Sequence, residues 1–167
     1  MKNIILVFAF LFLSSAAFAG GIVGLWKTID DETGKPKSII SVYEEGGMLF
    51  GKILFTYNDD GAPAIVPDGK KFVCDPTKLS KIDNKPYCGL IVLKDLKPAK
   101  NPAKYEKGQI TDPKKGADAV YRADIELQKD GTLKVRGMLG GGLLKALGRN
   151  QIWLPATAED LPEGFIY

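Results

Sequence analysis

The sequence predicts an all-β protein, a single up-and-down antiparallel barrel of about eight strands. Three observations carry this. Short runs of β-branched and aromatic residues recur along the chain, separated by turn signals at 31–34, 45–47, 59–61, 68–69 and 129–131. Ala119 to Gln128 alternates strictly, with Tyr121, Ala123, Ile125 and Leu127 on one face and Arg122, Asp124, Glu126 and Gln128 on the other. Tight Gly-containing turns join strands that are neighbours in sequence, which is how an up-and-down barrel is wound.

The first strand is Ile22 to Asp30, and the second, Lys37 to Glu44, follows the Asp31-Glu32-Thr33-Gly34 turn. Glu45-Gly46-Gly47 then makes a hairpin to a third strand, Met48 to Tyr57. Asn58 to Tyr87 contains Pro63, Pro67, Pro76 and Pro86 and reads as a long irregular connection with a short strand near Phe72. Cys88 to Lys94 is the next strand. Lys97 to Gly108, rich in Lys and Pro, reads as a solvated loop before a short strand near Gln109 to Thr111. The alternating strand 119–128 turns at Lys129-Asp130-Gly131 into Thr132 to Met138, with Leu133, Val135 and Gly137 on its inner face. Gly140 to Gly148 suggests a helical turn, and Arg149 to Leu154 closes the set. The strands from Met48 and Cys88 are apolar on both faces in places. A closed barrel explains this if one face lines the lumen and the other meets a covering segment.

Residues 1–19 read as a signal peptide: Lys2, an unbroken apolar run from Ile4 to Leu13, and a small-x-small site at Ala17-Phe18-Ala19. The run is too short to span a bilayer. Residues 20–167 then form one barrel domain, long enough to bury a single core, with no transmembrane segment expected in the mature chain. Export places Cys74 and Cys88 in an oxidising compartment. Thirteen residues separate them, with no C-x-x-C, so a structural disulfide is expected rather than a redox motif.

Composition excludes much chemistry. The chain has no His, which removes Ser-His-Asp and Cys-His machinery and His-ligated metals. A net charge of only +3 argues against nucleic acid as a partner, since phosphate binding needs a concentrated basic face. No cofactor is implied. The acidic clusters Asp30-Asp31-Glu32 and Asp59-Asp60 lack EF-hand spacing, so no metal site is expected.

Gly24 and Trp26 sit in the first strand and Arg149 in the last, and in a closed barrel these strands pair. The expected structure has the Arg149 guanidinium over Trp26 as a plug at one barrel end, with Gly24 leaving room for the approach. Holding an anionic ligand is the alternative role for Arg149.

A G-x-W near the mature N-terminus with an Arg in the final strand resembles the lipocalin-type barrel. Gly24-x-Trp26, Tyr43 before a turn, Leu49-x-Gly51-x-Ile53, Gly108-x-Ile110-x-Asp112-Pro113, Leu133-x-Val135-Arg136-Gly137 and Gly148-Arg149-x-Gln151-x-Trp153 resemble one family of small exported bacterial proteins, the domain of unknown function 2147. The resemblance implies a lipocalin-like barrel in a Gram-negative-type envelope, periplasmic or secreted. It implies no activity and no catalytic residues. Members often carry a closely spaced Cys pair where this chain has Cys74 alone. The distant Cys88 favours a staple over a shared redox or metal role.

Function is then expected to be non-enzymatic binding of a small, largely apolar molecule in the barrel mouth. The candidate lining residues are Tyr43, Phe55, Tyr57 and Tyr121. Small residues beside large ones, as at Ala123 and Gly137, suggest space in the lumen. One alternative is a filled barrel acting through surface loops on a protein or the cell wall, with Lys97–Lys107 and the stapled loop as contact surfaces. Another is an enzyme using Asp112, although Asp112-Pro113 also fits an ordinary turn.

Overall fold

The computed structural model describes residues 21–139 and 148–167. The expected signal peptide, 1–19, and the helical turn expected around 140–147 fall outside the described residues.

Eight strands close into an antiparallel barrel. They are β1 (Gly24–Ile29), β2 (Pro36–Glu45), β3 (Met48–Thr56), β6 (Ile91–Pro98), β7 (Lys104–Thr111), β8 (Val120–Leu127), β9 (Leu133–Met138) and β10 (Gly148–Ala156). Between β3 and β6 lies a two-stranded hairpin, β4 (Ile65–Asp68) with β5 (Lys71–Cys74). The first and last barrel strands pair through Leu25 with Ala156, Trp26 with Pro155 and Lys27 with Leu154, so the sheet has no free edge.

Local sequence explains the elements. Gly46 and Gly47, at φ 59° and 76°, supply the two left-handed residues that a twist-matched two-residue hairpin needs. Asp130 Oδ1 accepts from the amide and hydroxyl of Thr132, which fixes the β8–β9 turn.

Strand β7 begins well before Gln109, so Lys97–Gly108 is not a solvated loop. Lys97 and Pro98 end β6, Lys104 begins β7, and only the residues between them form the turn. The lysines obscure this strand in sequence, and so does a bulge. Tyr105 pairs with Ile125 and Gly108 with Ala123, so two residues on β7 face one on β8. Lys107 takes φ 63° there, and its amide donates to Asp124 Oδ1 at 3.1 Å.

Two apolar clusters hold the fold. The first fills the barrel and includes Trp26, Ile40, Val42, Leu49, Leu93, Leu96, Ile125, Leu133, Val135 and Trp153. The second lies outside the barrel wall, where Ile39, Leu54, Phe55 and Ala156 meet Ile65, Cys74, Leu161 and Phe165. A side lobe builds this second cluster. The C-terminal tail pairs with β5 through Phe72 and Phe165, and the Phe165 ring packs edge-on against Phe55 at 5.1 Å. Strand β3 is therefore apolar on both faces because it lies between two cores, with the lobe as its covering segment.

Candidate functional site

The turns 30–35 and 112–119 and the long segment 57–90 gather at one barrel end, here called the mouth. The Gly46-Gly47 hairpin and the turns 99–103 and 128–132 lie at the other, the closed end.

The closed end is sealed. Ile22 is buried, and its carbonyl accepts from the Trp26 indole Nε1 at 2.8 Å. The chain ahead of β1 thus closes the end and satisfies the one polar atom of the indole. Arg149 takes no part in this. It pairs with Gly137, six residues along β10 from the Pro155 that faces Trp26. That separation is about 20 Å along a strand. Arg149 is exposed and forms an ion pair with Asp31, tying the β1–β2 turn to the start of β10. The barrel closes as expected, but the Trp26–Arg149 plug is corrected: β1 and β10 run antiparallel, so Trp26 near the start of β1 meets the end of β10, Arg149 at the start of β10 lies at the opposite end, and the chain at Ile22 closes on Trp26 instead.

Glycines along the lumen do not leave it empty. A Cβ on Gly51 would lie 3.0 Å from Leu93, and one on Gly108 would lie 2.5 Å from Leu96 Cγ and 2.6 Å from the Lys94 carbonyl oxygen. A Cβ on Gly137 would lie 3.4 Å from Ile110. Leu93 and Leu96 fill the space at Gly51 and Gly108, whereas a methyl at Gly137 would make only an ordinary contact with Ile110.

Toward the mouth the packing loosens. Ile110 and Tyr121 pair across β7 and β8 on the inner face and are only half-buried. Tyr87 and Leu90, from the segment ahead of β6, pack against the same core. Polar groups also enter here. Thr28 and Ser38 hydroxyls meet at 2.7 Å, and Gln151 Oε1 accepts from Trp153 Nε1 at 3.3 Å. The Tyr87 phenol is pushed up, first by burial and then by the nearby Asp112 carboxylate. Asp112 itself opens a turn, its Oδ1 accepting from the Lys114 amide at 3.0 Å.

Of the four aromatics expected to line a ligand, the structure places Tyr121 on the inner face. The other three lie outside the wall, a correction to the expected lining. Tyr43 stacks on Phe50 at 5.9 Å beside the β2–β3 hairpin. Phe55 and Tyr57 belong to the outer cluster, edge-to-face at 5.4 Å. The cause is a bulge: Ile39 pairs with Phe55 and Ile40 with Ile53, so Leu54 is an extra residue that flips the faces beyond it. Three residues were not offered as lining: Tyr87 ends the Pro-rich connection, Leu90 lies in the expected strand 88–94 but just ahead of β6, and Ile110 lies on the bulged β7. The apolar run from Tyr87 to Leu93 was the available signal.

Among the described residues, no group of three or more acidic or Cys side chains could hold a metal ion. Asp30 Oδ1 instead accepts from the amides of Glu32 and Thr33, which holds its carboxyl below the usual range. The disulfide is present, Cys74 to Cys88, with Cα atoms 5.8 Å apart.

Comparison with known proteins fits this geometry. The family described as "Uncharacterized protein conserved in bacteria (DUF2147)" matches residues 24–154. The chain belongs to this family. It is also similar in structure to protein HP1028 from the human pathogen Helicobacter pylori, which is described as belonging to the lipocalin family. The two are 18% identical with a TM-score of 0.58, over 83% of this chain and 84% of that one. At that identity the likeness shows a shared fold, a lipocalin-like barrel. No curated protein matches the sequence. Among the described residues, no helix is long and apolar enough to cross a membrane. Arg122, Asp124 and Glu126 on the outer face of β8 are unlike the apolar band of a lipid-facing barrel.

Proposed function

We propose that this member of the family is an exported, non-enzymatic binding protein, periplasmic or secreted. It takes a small, largely apolar molecule at the barrel mouth. One contrast supports the reading: the lumen is sealed from the closed end up to Gly137, while Ile110 and Tyr121 above it are half-buried on the inner face. Half-buried apolar side chains facing inward, flanked by a few polar groups, suit an orienting pocket for a small molecule. The filled lumen limits the ligand to one that sits at the rim. The fold alone carries no activity; the family's bacterial distribution and the disulfide support an envelope location.

The test is thermal stability across a panel of fatty acids and lipids, read together with native mass spectrometry of the purified protein. A ligand at the mouth raises the melting temperature of the wild type and of Tyr43→Ala, and raises that of Tyr121→Ala much less. No stabilisation by any member of the panel, or equal stabilisation of both variants, would overturn the mouth as the seat. It would favour a protein that acts through its outer surface.

A further inference from the structure

The segment between β5 and β6 lies at the mouth as a loop held largely by its own bonds. Ser80, 2% exposed, is its centre. The Ser80 amide and hydroxyl both donate to the Lys85 carbonyl, at 2.8 and 2.9 Å, and its hydroxyl oxygen accepts from the Ile82 amide at 3.2 Å. The Tyr87 amide donates to the Lys78 carbonyl, also within the loop. One backbone bond links the loop to the neighbouring turn at the mouth, Lys81 N–H to the Pro113 carbonyl at 2.9 Å.

The two anchored ends belong to different parts of the molecule. Cys74 ends β5 and packs with the outer cluster beside Phe55 and Ile65. Cys88 follows Tyr87, which packs on the inner core. The disulfide therefore ties the side lobe to the neighbour of an aromatic residue that packs on the inner core at the mouth. Leu90 does not depend on it, because Gly89 and Leu90 exchange backbone bonds with Ile53 at 2.9 and 3.0 Å. Tyr87 is tied less directly: its carbonyl accepts from the Leu90 amide at 3.1 Å, while its own amide bond returns to the loop.

We infer that Cys74–Cys88 is a redox latch on this lid: oxidised, it holds Tyr87 across the mouth, and reduced by a dithiol, it lets the loop swing away while the barrel stays closed. The inference rests on the mouth being the binding seat. A thiolate of the dithiol attacks one sulfur, breaking the S–S bond and forming a mixed disulfide. The second thiol then displaces the protein sulfur. The dithiol leaves as its own disulfide, and two electrons and two protons remain on Cys74 and Cys88 as thiols. Both cysteines are half-buried rather than sealed, so the exchange does not require the barrel to open.

The test compares the oxidised protein, the dithiol-reduced protein and the Cys74→Ser/Cys88→Ser double variant by hydrogen exchange and by release of a fluorescent fatty acid. The latch gives at least tenfold faster exchange at Lys81, whose amide bond crosses to the Pro113 carbonyl, in both reduced forms, with β8 and β9 amides unchanged. Probe release speeds at least tenfold in the same two forms, and in oxidised Tyr87→Ala, which uncovers the mouth with the bond intact. Unchanged lid exchange on reduction overturns the latch. Equal acceleration throughout β8 and β9 also overturns it, since the bond would then staple the whole fold. Faster lid exchange with no probe binding in any form upholds the latch and overturns the binding seat.

Discussion

Gly108→Ala tests the filled lumen at its tightest point. Gly108 pairs with Ala123 on the inner wall, and the added methyl would lie 2.5 Å from Leu96 Cγ and 2.6 Å from the Lys94 carbonyl oxygen. Carbon contacts are comfortable at about 3.5–4.0 Å, so the overlap is on the order of 1 Å against two partners. Leu96 can rotate only into neighbours, being fully buried in the same core. The Lys94 oxygen is backbone in a paired strand and moves only with the strand. Overpacking of this kind costs about 1–3 kcal/mol, and the backbone partner places this site near the upper figure. For a domain of this size, about 3 kcal/mol lowers the melting temperature by about 6–12 °C. Calorimetry or chemical denaturation reads this directly. Leu96→Ala should be destabilising alone, yet should reduce the penalty of Gly108→Ala in the double variant, a positive coupling between touching residues. A neutral Gly108→Ala, or strict additivity with Leu96→Ala, would mean the lumen has free space at that level and would refute the packing argument.

Three further outcomes follow from the geometry. Trp26→Ala removes a buried indole and leaves the Ile22 carbonyl without its donor, costing about 3–5 kcal/mol, whereas Arg149→Ala, an exposed pair with Asp31, costs no more than about 1 kcal/mol; equilibrium unfolding of the two variants would restore a Trp26–Arg149 plug if the losses were alike. Asp160 is held below the usual carboxylate range, first by its hydrogen bond from Lys27 and then by the Thr157 amide, so its contribution is present above the unfolded value near 3.8 and fades as pH falls through the lower folded value; Asp160→Asn should be less stable than wild type at pH 7 with the gap closing below pH 4, and a gap independent of pH would contradict the ion pair. The disulfide closes a 15-residue loop, for which chain entropy gives about 3 kcal/mol; Cys74→Ser/Cys88→Ser should lose at most that in urea unfolding, and a variant that no longer folds would contradict a barrel core independent of the lid.

Much of the architecture was legible because the barrel's simplest strands obey period two. Ala119–Gln128 and Thr132–Met138 show their inner residues directly, and the Gly46-Gly47 turn declares its hairpin. Strand closure also followed from pattern, since apolar runs on both faces need two covers. What hid from the sequence was register. One extra residue at Leu54 turned Phe55 and Tyr57 from lumen to outer wall, and a second bulge, in β7, disguised a lysine-bearing strand as a loop. The direct neighbours Ile39 and Ile40 on β2 belong to different cores, so hydrophobicity alone could not decide that Tyr43 faces outward. The antiparallel pairing of β1 with β10 is what separates Trp26 from Arg149, because Arg149 lies at the start of the last strand and Trp26 meets its end.

The most direct measurement is amide and methyl chemical-shift mapping during titration of the oxidised protein with a medium-chain fatty acid. A rim-bound ligand shifts Tyr87, Leu90, Ile110, Tyr121 and Gly137 and leaves Leu49, Leu133 and Trp153 unmoved. Shifts running down to Trp153 and Leu133 would mean an open lumen, and shifts confined to Tyr43 and the outer wall would mean a different surface binds; either result would contradict the account.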